Sequence, residues 1–395
     1  MALSSPPLAL YLHFPWCVRK CPYCDFNSHA VQEQAPVDAY LSALHTDLET
    51  QAPGVAGRSV VSVFIGGGTP SLMPPEAVAR LLDTTRTLLD LSACSEVTLE
   101  ANPGTIERGR FAEYRAAGIN RVSLGAQSFQ PQLLTALGRI HSADETRRAA
   151  TELHAASLDN FNLDLMVGLP GQDSEQALAD VRAALALEPA HLSHYQLTLE
   201  PGTVFGGRPP EGLPTHDTAA DMQEHCQELL AAAGFAQYEV AAFARDGRRC
   251  THNLNYWQFG DYLGVGAGAH GKLTDLSTGL IRRTTREREP RRYMARGASG
   301  LPPSRDVPVS DLPFEFMMNA LRLTDGFTTA LYEARTGLAW SAVAEPVGRL
   351  IQRGLLMGDG SACRPTLLGR QFLNEMLMEF MAPSSVDGAA PGAKP

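Results

Sequence analysis

The stretch that decides the fold is "YLHFPWCVRKCPYCDFNSH", residues 11–29, which follows a β-rich run at the start of the chain. It places three thiols within eight positions, at Cys17, Cys21 and Cys24. Phe26 stands two places after the third of them. Three thiolates at spacings of four and three residues can surround a compact site carried on a loop. We therefore expect the loop after the first strand to hold a metal centre.

The residues alone leave the nature of that centre open. Pro15 and Pro22 disfavour a regular helix here, because proline removes a backbone donor and clashes with the preceding turn. An iron–sulfur cluster is normally held by four cysteines, so three would leave one iron with an open coordination position. A structural zinc ion needs four protein ligands, and His13 or His29 could supply the fourth. Plain, unliganded thiols are the third interpretation.

Outward from this loop, residues 8–200 alternate β-rich runs with amphipathic helical patterns. Repeated strand–helix units predict an α/β fold with a parallel sheet and right-handed crossovers. Six units would form a partial (β/α)6 barrel, whereas a doubly wound open sheet is the alternative that periodicity does not exclude. The predicted strands are "LALYLHF", "SVVSVFI", "EVTLEA", "RVSLGA", "NFNLDLMVG" and "HLSHYQLTL".

The character of the chain changes near residue 281. "IRRTTREREPRRY", residues 281–293, is dense in arginine and is typical of a solvated loop or helix face. Helical patterns dominate beyond residue 308. We therefore predict a core domain over 1–280, a smaller helical or winged-helix-like domain over 281–381, and a disordered tail over 382–395.

Composition limits the classes of function. A net charge of −10 argues against a general nucleic-acid binder, which needs a basic face. No apolar run reaches the length of a membrane span, and the start lacks the features of a signal peptide. Seven cysteines, an odd number with three crowded together, do not resemble a secreted disulfide scaffold. These observations predict a cytoplasmic protein, and they still allow peripheral contact with a membrane.

Further candidate residues lie at or near the ends of the predicted strands. In "FIGGGTP" the glycines at 66–68 allow backbone groups to approach a ligand closely, although a tight turn explains them too. Glu100 and Asp164 are carboxylates within strands that read as buried, so each needs a ligand or a cation. Gln127 and Arg139 follow the fourth strand. An internal salt-bridge network between Arg139 and the two acids is the alternative to a binding site.

The Cys-x3-Cys-x2-Cys spacing, with Tyr23 before the last cysteine, resembles the signature of the radical S-adenosylmethionine family. The resemblance implies a [4Fe-4S] cluster on Cys17, Cys21 and Cys24, whose open iron is chelated by the methionine moiety of S-adenosylmethionine. Cleavage of the sulfonium then gives a carbon radical. By the same resemblance Gly67, Gly68 and Thr69 grip the methionine amine. The remaining cofactor contacts that it implies are Tyr11, Tyr23, Glu100, Gln127, Arg139 and Asp164.

Within that family, "YLHFPWC", "GGGTP", "LGAQSF" and "GLPGQ" are most similar to the branch of oxygen-independent coproporphyrinogen oxidases and heme chaperones. The oxidases carry a fourth cysteine where Phe26 stands, and an extension ahead of the first strand. "HNLNYW", residues 252–257, resembles the motif of the heme-chaperone branch. Imidazole is a common axial ligand of heme iron, which makes His252 the candidate ligand. A hydrogen-bonded corner followed by core aromatics is the structural alternative.

The resemblance therefore implies a heme chaperone that binds heme, a [4Fe-4S] cluster and S-adenosylmethionine, and that transfers heme to an acceptor protein. The implied partners are heme, an acceptor, and a reductant protein for the cluster, without nucleic acid. The alternative is an oxygen-independent coproporphyrinogen III dehydrogenase that carries out oxidative decarboxylations in heme biosynthesis. The residues leave open whether the cofactor is turned over, so we predict no catalytic residue.

Overall fold

The chain divides into two compact units in the computed structural model, which describes residues 3–31, 34–104, 109–296 and 300–381. One unit is Ser5–Asp306, and the other begins at Val307 and includes the first residues up to Ser4. The predicted tail at 382–395 lies outside the described residues.

The larger unit is built on strands whose apolar, β-branched runs match the sequence pattern. Its strands are β1 (Leu8–Phe14), β2 (Trp16–Cys17), β3 (His29–Ala30), β4 (Val60–Gly67), β5 (Glu96–Ala101), β6 (Arg121–Gln127), β7 (Phe161–Val167), β8 (His191–Gln196), β9 (Ala236–Gln237), β10 (Ala242–Ala244), β11 (Asp261–Val265), β12 (His270–Asp275), β13 (Leu280–Thr285) and β14 (Ser304–Asp306).

Six parallel strands form the centre of one twelve-stranded sheet, in the order β1, β4, β5, β6, β7, β8. Strand β11 adds in parallel beside β1, and β12, β13 and β14 continue that side as antiparallel strands. Strands β10 and β9 extend the other side beyond β8. The predicted α/β fold with six parallel strands is confirmed. The strands also bring their carboxyl ends to one edge, where ligand sites of such sheets lie.

Helices of the larger unit connect these strands. They are α1 (Val37–Gln51), α2 (Pro75–Leu88), α3 (Phe111–Ala117), α4 (Pro131–Ala136), α5 (Ala143–Ala155), α6 (Ser174–Leu185), α7 (Val204–Gly207), α8 (His216–Ala232), α9 (Thr251–Trp257) and α10 (Pro290–Arg296). Capping boxes fix where two of them begin: Ser142 with Glu145 starts α5, and Asp173 with Gln176 starts α6.

The arginine-dense stretch is only partly the solvated strip that we predicted, because Arg288, Arg291 and Arg292 are exposed whereas Arg286 is buried. Its first half is strand β13, so the boundary that we placed at residue 281 falls inside the large sheet, and the division lies between Asp306 and Val307 instead. The Arg286 guanidinium is buried and pairs with the buried Asp47 on α1. The Tyr293 hydroxyl on α10 donates to the same carboxylate at 2.7 Å. Amino-acid composition does not predict which arginine is buried in an ion pair.

The smaller unit combines helices with a three-stranded antiparallel sheet in the order β15, β17, β16. This agrees with the helical and winged-helix-like character that we predicted. Its elements are α11 (Leu312–Ala320), β15 (Phe327–Thr328), α12 (Thr329–Thr336), α13 (Ala344–Gln352), β16 (Leu356–Gly358), β17 (Ala362–Pro365), α14 (Leu367–Gln371) and α15 (Leu373–Met378). Across the described residues of both units, no helix has the length and apolarity that crossing a membrane requires.

Candidate functional site

The cysteine loop leaves the carboxyl end of β1 and is closed at its base by backbone pairing. Strand β2 pairs with β3, so the loop between them is held as a defined excursion. The His29 amide donates to the Pro15 carbonyl at 2.7 Å, and the Val31 amide to the Cys17 carbonyl at 2.9 Å. The prolines that disfavour a helix thus lie in a loop whose ends are fixed by the sheet.

The three loop thiols lie at different depths and none is in a disulfide. Cys17 is buried, whereas Cys21 and Cys24 are half-buried. Burial raises the pKa of the Cys17 thiol, and its hydrogen bonds with Thr69 and Ser28 act in the opposite direction. An Arg139 guanidinium nitrogen lies 3.6 Å from the Cys21 sulfur. The loop therefore presents three free thiols, and one of them lies beside a guanidinium group.

Among the residues that the structure describes, no three His, Cys, Asp or Glu side chains converge closely enough to hold one metal ion. Thiolates of a cubane cluster each bind a different iron, so they need not converge. His13, a candidate fourth zinc ligand, has both ring nitrogens engaged, by the Tyr11 hydroxyl at 2.9 Å and the Asn27 carbonyl at 2.9 Å.

The glycines after β4 lie directly against the segment that leads into the cysteine loop. The amides of Gly68 and Thr69 donate to the carbonyls of Phe14 and Trp16, both at 2.7 Å. A Cβ at Gly68 would lie 2.5 Å from the Trp16 carbonyl oxygen. Gly67 has a φ of 123°, which L side chains rarely adopt, and a Cβ there would meet the Phe14 carbonyl oxygen at 2.8 Å. This backbone cradle has no room for larger residues.

Two carboxylates of the sheet, Glu100 and Asp164, repel one another, and the Arg121 guanidinium acts in the opposite direction on the pKa of Asp164. The Gly67 amide donates to Glu100 Oε2 at 2.9 Å. Asp164 accepts from Asn162 Nδ2 at 2.7 Å and from Ser123 Oγ at 3.3 Å. Burial raises the pKa of Glu100 to about 8, with a further contribution from the Asp164 charge. Burial also raises the pKa of Asp164. A site with two such acids favours a cationic ligand.

The internal salt-bridge alternative is not what the structure shows. Arg139 donates to Asn102 Oδ1 at 2.6 Å and to the Gly125 carbonyl at 2.8 Å, and within the described segments it forms no ion pair with either acid. Asn102 also donates to Thr69 Oγ1 at 2.9 Å, so it links the glycine cradle to the arginine beside Cys21. Asn102 was not among the predicted site residues. Its position directly after a buried strand, where ligand sites of parallel sheets lie, could have indicated it.

Three further predicted residues line the same edge of the sheet. Gln127 is buried with a φ of 66°, an uncommon conformation for a residue other than glycine, and its Oε1 accepts from the Tyr195 hydroxyl at 2.9 Å. Tyr11 stacks on Phe64 with ring centroids 6.3 Å apart. Tyr23 lies near Cys21 and Arg139, and burial raises the pKa of its hydroxyl.

The ring of His252 is enclosed by side chains of neighbouring elements. It lies on α9, where Glu96 at the start of β5 accepts from the amides of Thr251 and His252 at 2.9 and 3.0 Å. Its ring lies 3.0 Å from Ser62 Oγ through Nδ1 and 3.2 Å from the Tyr256 hydroxyl through Nε2, and only 1% of the residue is exposed. Glu96 and Ser62 belong to the amino-terminal parts of their strands, and the centroid of the Tyr11 ring of β1 lies 6.5 Å from that of the His252 ring.

Burial also fixes the charge state of that histidine. It lowers the pKa of His252 to about 3, with the nearby Arg121 guanidinium contributing, so the ring is neutral at pH 7. The ring stacks on Phe64 with centroids 5.0 Å apart and meets the Tyr256 ring edge-on at 4.9 Å. In this conformation neither imidazole nitrogen is available to iron. Heme ligation by His252 stays a prediction, and it requires Nε2 to leave Tyr256.

Family models match most of both units. The model of the radical SAM superfamily matches residues 11–184, which include the cysteine loop, the glycine cradle and both acids. The model of the HemN C-terminal domain matches residues 307–372. A solved structure of coproporphyrinogen III oxidase (HemN) from Escherichia coli has a TM-score of 0.80 at 23% identity, covering 95% of this chain and 90% of that chain. The fold is thus that of a radical S-adenosylmethionine protein.

Relatives with higher identity narrow the class. The heme chaperone HemW of Escherichia coli is 49% identical over 96% of this chain and 100% of its own length. HemW of Haemophilus influenzae is 47% identical over 95% of this chain and 98% of its own length. A bovine mitochondrial radical S-adenosyl methionine domain-containing protein 1 is 36% identical over 96% of this chain and 89% of its own length. The chain belongs to the HemW heme-chaperone family of the radical SAM superfamily.

Proposed function

We propose that the chain is a heme chaperone, which binds heme, carries a [4Fe-4S] cluster with S-adenosylmethionine, and transfers heme to an acceptor protein. The observation that carries the proposal is the near-complete match to relatives named heme chaperone HemW, at 49% identity over 96% of the chain. The function does not follow from the fold, because one fold supports many functions.

The residues present fit the two cofactors that a radical SAM protein requires. Cys17, Cys21 and Cys24 would hold three irons of the cluster on the β2–β3 loop. S-adenosylmethionine carries an ammonium and a sulfonium group, and Glu100, which accepts from the Gly67 amide, would supply negative charge beside the glycine cradle, with Asp164 close to it. When bound to a reduced cluster, the cofactor supplies radical chemistry. Arg139 would hold the cysteine loop, Asn102 and β6 in fixed positions, because it contacts Cys21, Asn102 and the Gly125 carbonyl.

Phe26 argues against the alternative dehydrogenase function. The side chain stands where the related oxidases carry a fourth cysteine, and it is 56% exposed on the loop. A phenyl ring offers no ligand and no redox chemistry in that place. The oxidase-like fold at 23% identity carries no activity with it. We therefore infer that coproporphyrinogen decarboxylation is not the function.

The remaining partners follow from the same proposal. A cluster that must be reduced needs a donor of electrons, and a chaperone needs an acceptor of heme. Reduced thiols on the cysteine loop favour a cytoplasmic location. With a net charge of −10 we expect no nucleic acid among the partners.

A transfer assay tests the proposed function. The reconstituted chain is loaded with one equivalent of heme, separated from free heme, and mixed with an apo-hemoprotein whose absorption bands differ. We expect the acceptor's bands to grow as those of the loaded chain decline. Retention of all heme by the chain, or release only at the rate of spontaneous dissociation, would contradict a chaperone role.

A further inference from the structure

The cysteine loop exposes an apolar side chain in a place where burial would be the norm for a cofactor site. Phe26 is 56% exposed and Val18 is 39% exposed, on the two sides of the segment that carries Cys21 and Cys24. The Lys20 ammonium donates to the Phe26 carbonyl at 3.1 Å, which ties the basic and apolar parts of this surface together. Exposed aromatic residues of this kind are enriched at protein–protein interfaces.

Cations surround these apolar residues. Arg19 and Lys20 are exposed on the loop, and Arg288 is also exposed. Arg288 lies beside the loop, because its backbone carbonyl accepts from Asn27 Nδ2 at 2.8 Å. In the described part of the chain no salt bridge joins any of these three cations to a carboxylate. Such a patch is unexpected on a chain whose net charge is −10.

The groups of opposite sign here are few. Asp25 is exposed on the loop itself. Glu289 is near His29, but its carboxylate accepts from the backbone amides of Arg291 and Arg292 at 3.1 and 2.7 Å, where it caps α10. The surface formed by Val18, Arg19, Lys20, Phe26 and Arg288, here called the loop surface, therefore carries three cations against the exposed carboxylate of Asp25 and the capping carboxylate of Glu289.

The loop surface also flanks the more accessible cluster ligands in sequence. Cys21 and Cys24 are half-buried, whereas Cys17 is buried, and both half-buried thiols lie between Lys20 and Phe26, which are joined by a hydrogen bond. A partner seated there would bring its own redox centre close to the irons. A convex loop with an exposed ring fits a protein surface better than it fits a small molecule, which binds in concave sites.

We propose that the loop surface docks a small acidic one-electron carrier protein, with Phe26 as the apolar anchor and Arg19, Lys20 and Arg288 as the basic rim. The proposal rests on the proposed function, because it names the reductant that the cluster requires. In the docked complex the carrier is oxidised by one electron and the cluster is reduced by one, with no bond formed or broken. Opposite charges steer such encounters and make them dependent on salt.

A flavodoxin, an acidic flavin protein, is the probe. Its binding in the oxidised state to the full chain is measured by calorimetry at low and high salt. The test variant carries Arg19→Glu, Lys20→Glu and Arg288→Glu, and Phe26→Ala tests the anchor. The control is Arg248→Glu, at an exposed arginine in the turn after β10. The last residue of β10, Ala244, pairs with His191 at the start of β8. This turn therefore lies at the end of the sheet opposite to the cysteine loop.

We expect binding to weaken by about tenfold or more in the triple variant and on addition of salt, and to be unchanged in Arg248→Glu. In reconstituted protein, flavodoxin hydroquinone should reduce the cluster more slowly in the triple variant, while reduction by dithionite and the iron content are unchanged. Equal binding by wild type and triple variant would overturn the docking surface. So would binding of anionic phosphatidylglycerol vesicles in place of flavodoxin, or self-association through Phe26. A chain that never takes up iron would instead contradict the proposed function.

Discussion

The amide of Gly67 and the carboxylate of Glu100 are joined by a hydrogen bond of 2.9 Å between the end of β4 and the end of β5. This contact places an acid whose pKa is raised to about 8 against the glycine cradle. At pH 7 a large share of Glu100 is therefore protonated before a ligand binds. A cationic ligand favours the ionised form, so ligand binding and proton release at Glu100 are linked.

The first prediction concerns that linkage. S-adenosylmethionine should bind more tightly as pH rises from 6 to 8, by up to about tenfold per pH unit for one released proton. Calorimetry in buffers of different ionisation enthalpy measures the proton release directly. In Glu100→Gln the pH dependence should vanish and the affinity should fall, whereas the cluster content should not change. An affinity that is independent of pH in the wild type would exclude Glu100 as the linked group.

The second prediction concerns stability without the ligand. The folded-state pKa of Glu100 is raised above its ordinary value of 4.5, so the folded state holds its proton more tightly than the unfolded state does. Stability due to this group is present below pH 4.5 and is lost as pH rises towards 8. Glu100→Gln keeps an acceptor for Gly67 without the charge, so it should stabilise the ligand-free protein at pH 8 by about 1 kcal/mol or more. The gain, measured by urea unfolding, should shrink towards pH 5.

The third prediction separates the cluster ligands from the other cysteines. Cys17→Ala, Cys21→Ala and Cys24→Ala should each lose most of the iron and sulfide after anaerobic reconstitution. Cys363→Ala, in the smaller unit, is the matched control and should keep both. Chemical analysis of iron and sulfide gives the answer. Stoichiometric zinc without iron in the anaerobically purified wild type would show that the loop binds a different metal.

The fourth prediction tests heme ligation by His252. Tyr256→Phe removes the hydroxyl that lies 3.2 Å from Nε2, so it should free this nitrogen and strengthen heme binding several-fold if His252 is the ligand. His252→Ala should then shift or abolish the heme absorption bands without loss of the cluster. Unfolding curves of both variants control for damage to the core. If neither variant alters the heme titration, another residue binds the iron and His252 serves only to pack α9 against Phe64 and Ser62.

The fifth prediction concerns a buried charge cluster at β11. Asp261 and Lys272 are buried and pair at 2.9 Å, and Arg58 lies 2.8 Å from the same carboxylate. Burial acts to raise the pKa of Asp261, but Lys272 and the other partners hold it below its ordinary value. Lys272→Met should destabilise the protein by less than the roughly 3–5 kcal/mol of an unpartnered buried charge, because Arg58 still pairs with the carboxylate. The stability that Asp261 contributes should be lost as pH falls through its depressed pKa, which acid titration of the wild type measures.

The sequence predicted the parallel sheet well because alternating strand and helix patterns depend on local periodicity. It also placed Glu100, Asp164 and Arg139 at or near strand ends, and their shared role in a cofactor site stays a prediction. The partners of Arg139 were not predictable, because Asn102 and the Gly125 carbonyl reach it through tertiary packing. The model of an internal salt bridge was wrong for that reason.

Long-range burial explains the other differences. Arginine in "IRRTTREREPRRY" suggested a solvated face, yet Arg286 is buried against Asp47 from a helix that is distant in sequence. "HNLNYW" suggested an accessible ligand, yet the segment forms α9 with His252 enclosed by Phe64, Ser62 and Tyr256. Asp47, Phe64 and Ser62 are distant in the sequence from the residues that they contact, so the sequence around Arg286 and around His252 does not predict these contacts.

Heme binding and coproporphyrinogen turnover can be compared in a paired assay on one anaerobically reconstituted sample. The protein with its cluster and S-adenosylmethionine is incubated with coproporphyrinogen III under reducing conditions, and a second portion is titrated with heme. We predict about one heme bound per chain and no protoporphyrinogen. Formation of protoporphyrinogen together with no measurable affinity for heme would contradict the chaperone assignment.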